Sequence, residues 1–267
     1  MTGSDELGAA FGLNDWHPVS GGESGATVYR SPDGAWIAKC AERGDVPDLE
    51  AERDRLVWLA TQGIPGATLV DWREGAAGAC LVTTRVPGVS ADRLSAGQLA
   101  DAWTNIVLSL RALHDLPARA CPFRRDLATM MAIVRDIVGR GVANASYLPS
   151  PDRDIPPRRL LERLEGELPR MEAYEAREAV VCHGDCCLPN IMVDPETLAV
   201  TGFIDLGRLG VADPYADLAL LTETAGDVWN DDRMAIWAEA ELARWYDRAI
   251  DEDRIRFYRW LDPLTHE

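Results

Sequence analysis

Apolar and polar positions change period along this chain, and the change divides it into two parts. Up to about residue 86 the apolar runs are short and bounded by turn residues, as strands are. Residues 16–30 (WHPVSGGESGATVYR) hold two such runs around a glycine-rich stretch. Ser31-Pro32-Asp33-Gly34 reads as a turn, and residues 35–40 (AWIAKC) follow as a strand with one charge, Lys39. Helical spacing takes over in residues 47–62, where Leu49, Glu52, Leu56 and Leu59 share a face and Gly63 marks the stop. Residues 68–73 and 79–86 then make a hairpin around Gly75-Ala76-Ala77-Gly78, and Val86-Pro87-Gly88-Val89 ends the β-rich part.

Beyond that point helical periods dominate. Residues 95–116 carry a capping box, Ser95-x-x-Gln98, and a buried face of Leu99, Ala102, Trp103, Ile106, Val107, Leu110 and Leu113. His114, in its last turn, suits the negative end of the helix dipole. Residues 127–138 predict another helix. The Pro-rich acidic run 149–157 (PSPDRDIPP) predicts a loop, and 158–168 a helix that Pro169 ends. Pro214 suits the first turn of a helix capped by Asp213, with Asp217 one turn in. Segments around 234–250 and 254–261 complete the set. The pattern predicts an α+β protein, with no repeats and no low-complexity tract.

Between the helices lies a stretch of different character, residues 179–205 (AVVCHGDCCLPNIMVDPETLAVTGFID). An apolar run ends at His183-Gly184-Asp185, and a polar loop reaches Asn190. Residues 191–193 and 198–204 read as paired strands around the turn Asp194-Pro195-Glu196-Thr197. If they pair, Asn190 and Asp205 lie at the mouth of the hairpin, roughly 5 Å apart. Asp185 is on the same rim. Two carboxylates and a carboxamide converging in this way suit a hard cation such as Mg²⁺.

Composition narrows the function. With 267 residues and 47% hydrophobic content, the chain can build a sizeable core. No apolar run is long enough to span a bilayer and no signal peptide is evident, so a cytoplasmic protein is expected, with no membrane partner. The formal charge of −17 disfavours nucleic acid. It fits a cationic ligand drawn in by the field, or serves solubility alone. The six cysteines lack C-x-x-C pairs and read as reduced thiols. A zinc site from Cys182, His183, Asp185, Cys186 and Cys187 has no second ligand pair to support it.

Two further features each have two readings. The glycines of Gly21-Gly22-Glu23-Ser24-Gly25 suit backbone contact with a phosphate, but taken alone they favour an ordinary hairpin turn. Lys39 is either an edge-strand lysine or the partner of Glu52, a carboxylate in an apolar stripe that burial would leave in need of a cation.

Taken in order, these markers resemble the protein-kinase-like fold: glycine-rich loop, strand lysine, helix glutamate, linker, HGD-x4-N, then I-D-x-G-R. HGDCCLPN resembles the catalytic loop of aminoglycoside phosphotransferases, and IDLGRLGVADPYADLAL their metal-binding segment and following helix. The runs DWHPVSGGESG, ERDRLVWL, GACLVTTRVPGV and FYRWLDPLT are most similar to streptomycin 3''-phosphotransferases, and less so to kanamycin and neomycin 3'-phosphotransferases. The resemblance implies a bilobal α+β fold: an N-terminal antiparallel β-sheet lobe with one helix, and a larger, mainly helical C-terminal lobe. Residues 1–86 would be the nucleotide lobe ending in the linker. Residues 87–267 would carry the catalytic loop, the metal site and the aminoglycoside pocket.

Residue by residue, the resemblance makes Asp185 the catalytic aspartate and Asn190 and Asp205 the Mg²⁺ ligands. Lys39 would hold the α- and β-phosphates of ATP, and Glu52 would hold Lys39. Ser24, Gly25 and Ala26 would cover the phosphates, and Thr83, Thr84, Arg85 and Val86 would form the adenine linker. His183 and Asp217 would brace the catalytic loop, with Arg208 either bracing or in the site. Streptomycin is cationic, so its pocket calls for carboxylates. Asp152, Asp154, Glu223, Asp227, Asp262 and Glu267 are the candidates, each otherwise a solvated surface acid. A monomer is expected. The competing functions are a 3'-phosphotransferase, a kinase of another small alcohol, a non-enzymatic ligand-binding module, and a metal-dependent hydrolase. The Cys186-Cys187 pair has no assigned role.

Overall fold

The computed structural model describes residues 3–19, 26–144, 148, 152–246 and 249–266. It divides into two compact units, Met1–Gly88 with Thr201–Gly207, and Val89–Val200 with Arg208–Glu267.

In the first unit, helix α1 (Gly3–Ala10) precedes β1 (His17–Val19), β2 (Thr27–Arg30) and β3 (Trp36–Glu42). Helix α2 (Val46–Ala60) and strands β4 (Leu69–Gly75) and β5 (Gly78–Thr84) follow. The strands form one antiparallel sheet in the order β1-β2-β3-β5-β4. Strand alternation gives the sheet two apolar faces. Ala38, Cys40, Cys80 and Val82 pack with Leu7, Phe11, Leu13 and Tyr29 on one side. Ala41, Ala79 and Leu81 pack with Leu49 of α2 on the other. Lys39, one residue from Cys40, points to the α2 side. There Leu49, Glu52, Leu56 and Leu59 are the buried face of α2, as their spacing predicts. The short helix α1 is an addition to the single helix expected in this unit. It is held by the burial of Leu7 and of Phe11 just beyond its end, too few apolar positions to register as a period.

The second unit begins with β6 (Val89–Ser90) and the helices α3 (Ala96–His114), α4 (Leu127–Arg140) and α5 (Pro157–Glu178). The capping box at α3 is present: Gln98 N donates to Ser95 Oγ at 3.3 Å, and Ser95 N to Gln98 Oε1 at 3.1 Å. Helix α5 corrects one expectation, since it runs through Pro169 instead of ending before it. Proline removes one backbone donor from a helix interior. Here Leu160, Leu164 and Met171 are buried on both sides of it, and that continuous apolar stripe carries the helix across.

Strand β7 (Val180–Cys182) leads into the loop 183–190, and β8 (Ile191–Val193) leaves it and pairs with β6. In the turn that follows, Asp194 Oδ1 accepts from Glu196 N at 2.8 Å and Thr197 N at 3.0 Å. The chain returns along β9 (Val200–Phe203), and β10 (Gly210–Ala212) pairs with β7. Helices α6 (Tyr215–Trp229), α7 (Asp232–Tyr246) and α8 (Glu252–Leu261) complete the unit. Trp103 of α3 is fully buried and donates to Ala238 O of α7 at 3.1 Å. Arg254 of α8 is buried against Asp213 at 2.6 Å and Glu178 at 2.9 Å, so both ends of the β7–loop–β10 segment are tied to the helices. Among the described residues no helix is long and apolar enough to cross a membrane.

Candidate active site

Three candidates meet inside the first unit. Lys39 Nζ lies 2.7 Å from Glu52 Oε2 and 3.2 Å from Asp205 Oδ1. Burial disfavours the lysine charge, but the carboxylates of Glu52 and Asp205 outweigh it and hold the Lys39 pKa above its ordinary value. Of the two readings of Lys39, the structure takes the paired one. Asp205 reaches this place because β9 docks against residues 65–66, with Phe203 N donating to Pro65 O at 3.2 Å. A side chain at Gly202 would put its Cβ 2.8 Å from Gly66 Cα, so glycine permits the approach. Asp205 itself is left-handed, φ 58°, a conformation aspartate tolerates better than most residues.

The catalytic-loop candidate lies in the second unit. Asp217, fully buried in the first turn of α6, accepts from His183 N at 2.7 Å and Gly184 N at 2.8 Å. It also meets His114 Nε2 at 3.1 Å, and His114 Nδ1 lies 3.0 Å from the Tyr246 hydroxyl. His114 thus serves a buried network and not the dipole of α3 in isolation. Gly184 is left-handed at φ +81°, and a Cβ there would stand 2.2 Å from Arg208 O. The loop then closes on itself: Cys187 N donates to Asp185 O at 2.9 Å and Asn190 N to Cys187 O at 3.0 Å.

Asn190 Nδ2 donates to Asp185 O at 2.9 Å and to Asp185 Oδ2 at 3.1 Å. With its nitrogen so engaged, the amide offers its oxygen as a ligand atom. Taken singly, the carboxylate of Asp205 and the carboxamide oxygen of Asn190 are each the kind of hard oxygen donor that Mg²⁺ takes. The zinc set considered from sequence is not assembled. Among the described residues the metal-capable group is His114, Cys182 and Asp217, all buried, and Asp217 is already occupied by the loop N–H groups.

The acidic candidates divide. Asp262 meets Arg208 Nη1 at 3.3 Å and His266 Nε2 at 3.4 Å. Burial works against its charge, but His266, Arg208 and Arg125 hold its pKa below the ordinary carboxylate value. Burial pushes Glu223 up to about 7, with Arg259 opposing and Asp227 and Asp262 reinforcing the rise. The Cys187 thiol feels both Asp185 and Asp262. Asp227 and Asp262 thus lie close enough to act on Glu223, and Asp185 and Asp262 on Cys187. Asp152 is half-buried and accepts from Trp260 Nε1 at 2.9 Å. Asp154 is exposed on its loop.

Ala26 is half-buried just ahead of β2, while Ser24, Gly25 and Glu267 lie outside the described residues. Thr83 and Thr84 end β5, and Arg85 and Val86 follow. Thr84 N donates to Thr68 O and Arg85 N to Ala35 O, so neither N–H is offered to a base. The clamp of Arg208 on Asp262 and His266 was not legible beforehand. The I-D-x-G-R motif singled Arg208 out, but its partners are 54 and 58 positions away.

Residues 15–258 match the model of the phosphotransferase enzyme family. The chain belongs to that family, and its fold is that of the kinase-like aminoglycoside phosphotransferases. It is 52% identical to the streptomycin 3''-kinase of Streptomyces griseus over 256 residues, covering 96% of this chain and 94% of that one. It is 37% identical to an aminoglycoside 3'-phosphotransferase of Streptomyces fradiae over 94% of this chain and 95% of that one. Aminoglycoside phosphotransferase APH(3'')-Id from Streptomyces rimosus, in complex with ADP and streptomycin, superposes with a TM-score of 0.92. Identity is 52%, over 98% of this chain and 97% of that structure.

Proposed function

We propose that this protein transfers the γ-phosphoryl group of ATP to the 3''-hydroxyl of streptomycin, and so confers resistance to it, acting in the cytoplasm as a monomer. The single observation that carries the reading is the Lys39–Glu52–Asp205 cluster in a chain with the HGD-x4-N loop. A binding module would need no such costly set of charges. The 52% identity to a streptomycin 3''-kinase over nearly the whole chain supports the choice of acceptor.

In this reading residues 1–86 hold the nucleotide and 87–267 the drug. Lys39 binds the α- and β-phosphates, and Glu52 keeps the ammonium in place. Ser24, Gly25 and Ala26 cover the phosphates with backbone N–H groups. The end of β5 and the two residues after it, Thr83 to Val86, lie against adenine, with the N–H groups of Thr84 and Arg85 held by the protein itself. Asp205 and Asn190 each offer an oxygen to Mg²⁺. When bound, the ion neutralises charge on the phosphates. Phosphoryl transfer has a loose transition state, so positioning and charge neutralisation supply most of the catalysis.

Asp185 orients the acceptor hydroxyl and takes its proton. Asn190 fixes the aspartate through its Nδ2, 3.1 Å from Asp185 Oδ2. The acids Glu223, Asp227 and Asp262 receive the guanidinium groups and amine of the drug, and Asp152, Asp154 and Glu267 are the further carboxylates available to it. Arg208 and His266 set the position of Asp262. The test is turnover of Mg-ATP against a panel of aminoglycosides, with NMR locating the phosphate. Phosphate on the 3''-hydroxyl of streptomycin is the expected product. A product phosphorylated elsewhere, or no turnover with streptomycin, overturns the assignment.

A further inference from the structure

Cys40 and Cys80 stand directly opposite each other on β3 and β5. Both are fully buried, and their sulfur atoms are 3.1 Å apart. Directly opposed residues of an antiparallel pair have Cα atoms about 4.5 or 5.5 Å apart, and a disulfide accepts roughly 4.4–6.8 Å. The sulfurs need to close by only about 1 Å to reach the ~2.05 Å of a bond. The strand register thus already holds the two thiols in bridging position. Leu13, Ala38 and Val82 are among the apolar residues of the same core cluster, and Arg73 and Asp71 lie near enough to act on Cys80.

We propose that Cys40 and Cys80 are a modification site, a thiol pair that a hydroperoxide converts reversibly into a cross-strand disulfide within the folded first unit. The thiols are unlike each other. Cys40 donates its hydrogen to Cys80, which pushes the Cys40 thiol up and Cys80 down, and the Arg73 guanidinium favours the thiolate at both. Cys80 is therefore the attacking sulfur. It attacks one oxygen of hydrogen peroxide, the O–O bond breaks, the other oxygen leaves as water, and Cys80 becomes a sulfenic acid. The Cys40 sulfur then displaces the sulfenic hydroxyl, which leaves as water with the Cys40 proton. Two thiols are oxidised to one disulfide and one peroxide is reduced. A dithiol reverses the change by exchange.

The bridge would tie β3 to β5 around the whole of α2. Lys39 is the neighbour of Cys40 on the opposite face, so the tether acts on the strand that carries the lysine. Full burial limits the oxidant to one of about water size, which selects hydrogen peroxide as the probe.

The experiment treats the native full-length chain with hydrogen peroxide and removes the excess with catalase. The protein is then unfolded in the presence of N-ethylmaleimide and digested without reductant. Mass spectrometry is expected to show the Cys40 and Cys80 peptides joined, two hydrogens lighter than their sum. Dithiothreitol is expected to return both to maleimide-reactive form. Because peroxide also threatens the loop cysteines 186 and 187, activity is not the readout. Thermal inactivation of the first unit's fold, followed by proteolysis, is expected to slow several-fold in the oxidised chain and to be unchanged by peroxide in Cys80→Ser. Three results each overturn the proposal: both thiols still maleimide-reactive after Cys121 has been oxidised, a bridge that forms only in the unfolded chain, or preferential linkage of either cysteine to a different one.

Discussion

Lys39 Nζ donates to Asp205 Oδ1 across 3.2 Å, joining two residues 166 positions apart within one compact unit. The same ammonium lies 2.7 Å from Glu52 Oε2. Asp205 cannot give that oxygen fully to Lys39 and to a metal at once, so Glu52 decides where the lysine stays. Hydrogen bonds to charged groups contribute about 1.5–3 kcal/mol, so an ammonium displaced from the phosphates costs up to roughly 10²-fold in nucleotide affinity. Glu52→Gln is expected to lower kcat/KM for Mg-ATP by about that factor, chiefly through KM. Steady-state kinetics at saturating streptomycin check it; an unchanged KM for Mg-ATP would remove Glu52 from the nucleotide site.

In the proposed reaction Asp185 takes the proton of the acceptor hydroxyl. General-base residues contribute about 10²–10⁴ in rate. Asp185→Ala is expected to lose at least that much of kcat while Mg-ATP affinity, measured by calorimetry, stays within about twofold. Near-normal turnover would sink the assignment.

The proposed metal ligands separate from the proposed base in a different assay. Chelation is expected to abolish turnover and added Mg²⁺ to restore it. Asn190→Ala is expected to raise the Mg²⁺ concentration for half-maximal rate by about tenfold or more, the loss of roughly one oxygen ligand. An unshifted Mg²⁺ titration in this variant would take Asn190 out of the metal site.

Glu223 gives the pH dependence a sign. Burial raises its folded pKa from the ordinary 4.5 to about 7. The protonated form is thus favoured by folding, and this contribution is present below about 4.5 and lost as pH rises through about 7. A cationic drug prefers the ionised form. The KM for streptomycin is expected to fall as pH rises from 6 to 8, by up to about tenfold per unit below the pKa. Glu223→Gln is expected to flatten that slope and raise KM at pH 8. An identical slope in the variant would exclude Glu223 from the pocket.

Much of this site was visible in the sequence, because its residues break local rules. Lys39 is a charge in an apolar strand, Glu52 a charge in an apolar stripe, and each calls for the other. The HGD-x4-N loop is local, so spacing alone places Asp185 and Asn190 together. Positions set by distant contacts were not legible. Nothing near Asp205 says that Thr201–Gly207 will fold with the first unit, because Pro65 O and Gly66 decide it. His114 reads as a dipole partner until Asp217, 103 positions on, comes within 3.1 Å. Pro169 reads as a stop until Leu160, Leu164 and Met171 are seen buried along one helix. Local propensity gave way to tertiary packing in both cases.

Gly184 is the point where fold and chemistry constrain each other. At φ +81° with Arg208 O 2.2 Å from any added Cβ, Gly184→Ala carries both a left-handed backbone and a clash. A loss of at least ~3 kcal/mol in unfolding free energy is expected. Denaturant titration of purified variant and parent measures it, and a loss under about 1 kcal/mol would show that the loop can relax.

The central claim is the acceptor. Initial rates of Mg-ATP consumption with streptomycin and with kanamycin, each product examined by phosphorus and proton NMR, test it most directly. Turnover of streptomycin with the phosphate on its 3''-hydroxyl, and none of kanamycin, is the expected result. Faster turnover of kanamycin, or phosphate on a different hydroxyl of streptomycin, would contradict it.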